Sequence, residues 1–163
     1  MRKYEITGAL LWTFSDHTSG INAITMDRAD EEIITASSDG TVKKVDSSGN
    51  LMWSYSGHTG SVNGVDVDVD GYVYTAGSDG TIKKLALDGQ SSLWSVSEHS
   101  GAINGIFVDI DKNVYSYSDD NTVKKYSGVD GAVLWTFTGH TDNVVDVVVN
   151  QYGTVYSVAT NGI

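Results

Sequence analysis

The chain has 163 residues with 10 basic and 21 acidic side chains, which gives a net charge of −11 at pH 7. A protein this acidic repels the phosphates of nucleic acids and the headgroups of anionic membranes, so we expect neither as a partner. Cysteine is absent, which excludes disulfides, cysteine-based zinc sites and thiol nucleophiles. The sequence carries no signal-peptide or membrane-span pattern, so it predicts a cytoplasmic protein.

One repeat unit recurs through the whole sequence. The four tryptophans and the four histidines are each spaced by 41 residues: Trp12, Trp53, Trp94 and Trp135, and His17, His58, His99 and His140. Every Trp and every His therefore belongs to one periodic pattern, which is the signature of a repeat fold. We place the repeats within a single domain, 1–163, at about 15–55, 56–96, 97–137 and 138–163, the last completed by 1–14.

In chain order, the elements begin with two strands in 1–14 that match the last two strands of a repeat. The second repeat shows the full unit, in which β-branched and aromatic runs between Gly, Asp, Asn and Ser predict strands at 62–68, 71–77, 81–87 and 91–97. Two strands within 143–158 match the first two strands of a repeat. The pattern predicts an all-β fold of four-stranded antiparallel units, with one unit split between the termini.

Short motifs in each unit resemble the WD-repeat β-propellers. Gly-His stands near the start of the second unit at His58, and Asp79-Gly80-Thr81 precedes its third strand. The Trp-Asp dipeptide of that family is missing, and its Trp position holds Val45, Leu85, Tyr126 and Tyr4. The segments VDSSGNLMW and GVDGAVLW, each with a Gly before an outer-strand Trp, also resemble the repeat of pyrroloquinoline-quinone propellers. The resemblance implies a β-propeller with four blades in each chain.

The split repeat leaves more than one way to close the ring. The N-terminal strands can complete the last blade of their own chain, giving four blades, or that of a second chain, giving eight. Four blades require steep wedges between sheets that normally pack about 10 Å apart. We therefore expect an eight-bladed homodimer with two-fold symmetry, while a fragment of a longer propeller is a third possibility.

The resemblance implies a structural role for the histidines. In WD-repeat proteins this His bonds a hydroxyl of the second strand and an acid of the tight turn. The matching hydroxyls are those of Thr35, Thr75, Ser116 and Ser157, and the matching acids are Asp39, Asp79 and Asp120, with Asn161 in the fourth unit. We expect a hydrogen-bond network rather than a metal site, because the four histidines lie in different blades. Four copies of a hydrolase triad, one with Asn for Asp, make no chemical sense.

Three other series have competing interpretations. The run from Asp66 to Gly71 mimics the start of a calcium loop but has Gly77 at its twelfth position, where that loop needs Glu, so we favour a turn. The tryptophans are expected to fill space between blades. The third series lies near the predicted mouth of the channel, where its amides could bind a ligand or serve local backbone: Asn22, Asn63 and Asn104.

These patterns favour a non-catalytic propeller that acts as a scaffold for a protein, a peptide or another ligand, with no cofactor and no catalytic or metal residues. The alternative is a structural or engineered propeller without a specific ligand. The least favoured reading is a hydrolase or quinone-type enzyme at the channel, because no acid, base or metal set converges there.

Overall fold

The computed structural model describes residues 1–162, and sixteen β-strands make up its regular structure. Within this range no helix has the length and apolarity needed to cross a bilayer. The strands are β1 (Arg2–Tyr4), β2 (Leu10–Thr13), β3 (Ile21–Asp27), β4 (Glu32–Ser37), β5 (Val42–Val45), β6 (Leu51–Tyr55), β7 (Val62–Val67), β8 (Val73–Gly77), β9 (Ile82–Leu85), β10 (Ser92–Val96), β11 (Ile103–Val108), β12 (Val114–Ser118), β13 (Val123–Tyr126), β14 (Val133–Phe137), β15 (Val144–Val149) and β16 (Val155–Ala159).

The strands form propeller blades. Three antiparallel sheets have four strands each, β3–β6, β7–β10 and β11–β14, and β1–β2 and β15–β16 form two-stranded sheets. The all-β prediction is confirmed, and the four strands predicted in the second repeat differ from β7–β10 by no more than two residues at either end. The start of β8 is shifted by two residues, because the Asp68 amide donates to the Tyr72 carbonyl and closes a turn before the strand begins.

The core lies between the blades rather than inside any one of them. Ile34 and Ala36 of β4 form one apolar cluster with Val62 and Val65 of β7. The second strand of a blade that has neighbours on both sides is therefore covered on both faces, and all five residues of β8 are buried. This explains why the second strand of a repeat reads as a nearly continuous apolar run instead of a clean alternation.

The N-terminal hairpin β1–β2 occupies the place of the outer strands of a preceding blade. Lys3 Nζ and Trp12 Nε1 donate to the Ser47 carbonyl at 2.9 and 3.1 Å. The next blades show the same contact, in which Lys84 and Trp94 donate to the carbonyl of Gly128. The hairpin is thus docked as in an intact blade, but its sheet contains neither β15 nor β16.

Candidate functional site

A polar network fixes the loops at one end of each intact blade. In the second repeat, His58 Nε2 lies 2.8 Å from the Thr75 hydroxyl, and His58 Nδ1 lies 3.0 Å from the Asp79 carboxylate. The same carboxylate accepts hydrogen bonds from the Thr59 amide and the Thr81 hydroxyl at 3.0 and 2.7 Å. The side chain of His58 is buried, so these bonds replace its contacts with water.

The network recurs around the propeller with one variation. His17 contacts Thr35 and Asp39 at 2.8 and 2.9 Å, and His99 contacts Ser116 and Asp120 at 2.6 and 2.8 Å. In the fourth repeat His140 lies 2.7 Å from Ser157, while the Asn161 amide donates to the Thr141 hydroxyl. The four histidines stand one to a repeat, and each lies within hydrogen-bond distance of a hydroxyl in its own repeat.

Burial and hydrogen bonding set the charge states in this network. Burial lowers the pKa of His58 below its ordinary value and outweighs the attraction of Asp79. Burial raises the pKa of Asp79, but hydrogen bonds from Thr59, Thr81 and His58 prevail and bring that pKa to about 2. At neutral pH the network therefore pairs a neutral imidazole with an ionised carboxylate.

We expect the free energy of unfolding to fall in two stages on acidification. The folded-state pKa of His58 lies below its unfolded value near 6.5, so its contribution is complete above that pH and decreases below it. The contribution of Asp79 is complete above about pH 4 and is lost towards pH 2, by on the order of 1 kcal/mol after allowance for solvent screening. Urea unfolding at pH 8, 5 and 3 measures both stages. Asp79→Asn should reduce the lower stage without abolishing it, because Asp39 and Asp120 also have lowered pKa values. Equal wild-type midpoints at pH 8 and 3 would contradict the assignment.

The three asparagines that were predicted to lie at the channel mouth link consecutive blades. The side-chain amides of Asn22, Asn63 and Asn104 each donate to a carbonyl of the next inner strand at 2.9, 2.8 and 2.8 Å: Val62, Ile103 and Val144 respectively. Their Nδ2 atoms are therefore engaged between blades, and the Ser38 hydroxyl donates to Oδ1 of Asn22. The fourth repeat has Val145 at this position.

The tryptophans lie where the outer strand of one blade meets the turn of the next. The ring of Trp53 lies against Gly89, in the turn between β9 and β10, and Trp12 and Trp94 face Gly49 and Gly131 in the same way. Trp53 is only 8% exposed. Trp135 lies on β14, the outer strand of the third blade, and is 36% exposed.

The sequence analysis missed one residue of interest, Asp66. It borders a pocket of about 420 Å³ shared with Thr25, Asp27 and Asp68, and burial raises its pKa. Its two oxygens accept hydrogen bonds from the Thr25 hydroxyl and the Val108 amide, so it joins three neighbouring blades. The sequence signal that could have identified Asp66 is its departure from the repeat pattern. The equivalent positions in the other repeats hold Thr25, Phe107 and Val148.

The acidic turns carry internal hydrogen bonds. In the calcium-like run, Asp68 accepts from the amides of Asp70 and Tyr72 and from the Tyr74 hydroxyl, which is the geometry of a turn. Asp27, Asp30 and Glu32 are close enough to share a cation. The ammonium of Lys44 already pairs with Asp27 and Glu32.

Comparisons with known proteins agree with the propeller architecture. The sequence profile of the lambda-carrageenase β-propeller domain matches residues 4–147. The solved WD40 β-propeller domain of Doa1 is similar over 95% of the chain, with a TM-score of 0.87 and 20% identity. The chain spans 53% of that structure, about half its length. No curated protein sequence matches.

Proposed function

The chain belongs to the lambda-carrageenase β-propeller domain family, and on this premise we propose that it is a non-catalytic interaction scaffold whose ring is completed by exchange of terminal strands with a second copy. One observation carries the proposal. In three repeats both ring nitrogens of the histidine are bonded within the blade. Histidine is the residue that most often serves as an acid or base, and here its ring instead holds the loops in place. Loops on a rigid frame are suited to binding.

The binding surface of this proposal is the channel mouth. Asn104 and the exposed Asp119 lie together there, with Asn104 Nδ2 2.8 Å from Asp119 Oδ1. Their oxygens, on a chain with net charge −11, favour a basic partner, because complementary potentials steer association and select partners. The probe with the best match is a flexible peptide rich in lysine and arginine.

A single charge-matched pair of variants tests this surface. Fluorescence anisotropy of a labelled Lys/Arg-rich peptide should show saturable binding at physiological salt. Asp119→Asn should weaken it several-fold, because a charge at the mouth is lost. Asp130→Asn removes an equal charge from a turn at the outer side of the third blade and should leave binding unchanged. Equal effects of the two variants would indicate non-specific attraction. Absence of binding would favour the alternative, a propeller without a specific ligand.

The rival function is catalysis at the channel, since the family takes its name from a carrageenase. Asp66 is the residue that favours it, as a carboxyl of raised pKa beside a pocket. Against it, both oxygens of Asp66 are bonded to neighbouring blades, so the carboxyl has a structural task. Turnover of lambda-carrageenan that is abolished by Asp66→Asn would overturn the scaffold proposal.

A further inference from the structure

We propose that a second copy of the chain completes the split blade in one defined register, with β16 of one copy paired to β1 of the other. This inference rests on the proposed function and specifies its assembly step. We call the junction the seam, formed by β15–β16 of one copy and β1–β2 of the other. Four observations define it: an exposed apolar face on β16, a groove that fits this face, a tryptophan that has no turn glycine opposite it in the same chain, and the register of the intact blades.

The first observation is an exposed apolar face on β16. Tyr156 is 59% exposed and Val158 is 51% exposed. The residues equivalent to Tyr156 in the intact blades are fully buried by the following blade: Ile34, Tyr74 and Tyr115. Within the described chain no blade covers this face of β16, and an exposed apolar face on a sheet edge is suited to contact with another surface.

The second observation is a groove of matching chemistry at the other end of the chain. It has a volume of about 400 Å³ and lies between the N-terminal hairpin and the first blade, with Trp12, Ile24 and Ile33 in its walls. Ile24 is 59% exposed, whereas the equivalent Val65 is buried against the preceding blade. The wall that covers Val65 is β4. The strand equivalent to β4 at this junction is β16 of the other copy. It would cover Ile24 and place Tyr156 and Val158 in the groove.

The third observation concerns the outer strands. Trp135 and Phe137 line a groove of about 320 Å³ with Val155 of β16. The other three tryptophans each face a turn glycine in the next blade. The glycine left over is Gly8, in the β1–β2 turn, where an added Cβ meets nothing within 4 Å of the same chain. In the seam, Trp135 of one copy lies against Gly8 of the other.

The intact blades define the register. The second and third strands pair Ile34 with Lys44, Tyr74 with Lys84, and Tyr115 with Lys125. Translating this register by the repeat spacing places Tyr156 of one copy opposite Lys3 of the other. In this register the side chain of Tyr4 packs against the third blade of the other copy. Tyr4 is now 52% exposed, whereas its equivalents in the intact blades are fully buried: Val45, Leu85 and Tyr126.

The curvature favours a second copy over closure within one chain. The chain superposes on about half of a larger propeller with a TM-score of 0.87, so its blades already have the angles of a ring about twice its size. A second copy fills the other half without altering them. Closure on itself would require the same sheets to span a full circle, with wedges that their packing distance opposes.

The seam differs from the intact junctions at Val145. We call the contact between two consecutive repeats of one chain an intact junction. Each of the three intact junctions has an Asn at this position, and its side-chain amide donates to the first strand of the next repeat. Val145 cannot donate, so the carbonyl of Ile21 in the second copy receives no side-chain amide from it. The seam is therefore expected to be weaker than an intact junction, and Val145→Asn should strengthen it.

Disulfide trapping tests the register. The chain has no cysteine, so Lys3→Cys/Tyr156→Cys introduces the only pair. Residues directly opposite in antiparallel strands have Cα atoms about 4.5–5.5 Å apart, which suits a disulfide. Oxidation should yield a covalent dimer of about 35 kDa, twice the chain mass of 17.5 kDa. The control, Arg2→Cys/Tyr156→Cys, places the thiols on opposite faces of the sheet and should cross-link poorly.

Light scattering of the unmodified chain supplies the second measurement, and it does not depend on the variants folding. A mass near 35 kDa is expected, and Val145→Asn should lower the dimer dissociation constant about ten- to hundredfold, because the dimer contains two seams and each gains one hydrogen bond. A mass of 17.5 kDa, an intramolecular disulfide, or equal trapping by the control pair would overturn the seam. Peptide binding is measured separately, so a failed seam and a failed scaffold proposal give different results.

Discussion

Trp53→Ala is expected to lower the free energy of unfolding by about 3–5 kcal/mol, which is the usual cost of removing a buried tryptophan. The ring of Trp53 belongs to the apolar cluster between the first two blades, together with Val65 and Leu85. Removing it leaves a cavity between rigid sheets that cannot close. Urea unfolding followed by circular dichroism measures the loss.

Met52→Ala is the matched control for this substitution. Met52 precedes Trp53 on β6 but is half exposed, so its truncation should change the free energy of unfolding by no more than about 0.5 kcal/mol. A loss for Trp53→Ala as small as that for Met52→Ala would show that the junction between blades does not depend on the tryptophan.

Gly89→Ala is expected to cost about 2–5 kcal/mol for two separable reasons. The backbone of Gly89 has φ +68, a left-handed conformation that costs other residues roughly 1–2 kcal/mol. An added Cβ would also lie 2.3 Å from Cδ2 of Trp53, and overpacking of this kind costs about 1–3 kcal/mol. Chemical denaturation gives the sum of both contributions.

Two comparisons separate the contributions. Gly153 has φ +79 and nothing within 4 Å of an added Cβ, so Gly153→Ala should show the backbone cost alone. In a Trp53→Ala background the overpacking cost should disappear, which makes the double-mutant cycle non-additive. Strict additivity of Gly89→Ala and Trp53→Ala would mean that the two residues do not compete for the same space.

Much of the fold could be predicted from the sequence because its determinants are local. Turn glycines and aspartates, the alternating β-branched runs and the spacing of 41 residues define the strands, as the agreement at β7 and β10 shows. The partners of the histidines could be predicted from the resemblance to WD-repeat proteins, because the family motif implies which residues the histidine contacts. In each intact blade the structure places those partners within hydrogen-bond distance.

Contacts between blades were harder to predict, because they depend on how two sheets approach each other. The sequence identified Asn63 and its equivalents but could not tell whether their amides face the channel or the next blade. The structure shows a bond to the next blade. Asp66 was considered only as part of a calcium-like run, since its bond to the Val108 amide, 42 residues away, leaves no trace in local spacing.

The arrangement of the core between blades also determines how the chain opens. The main contacts of each blade are with itself and with its immediate neighbours, so the chain behaves as a one-dimensional array whose local stability depends on the number of flanking units. In a single unpaired chain, the amide hydrogens of the fully buried β8 should exchange with solvent most slowly, and those of β1 and β16 fastest. Pairing of β16 with β1 of a second copy would protect both ends of the array. The strands would then open together in one cooperative step rather than one after another from the ends.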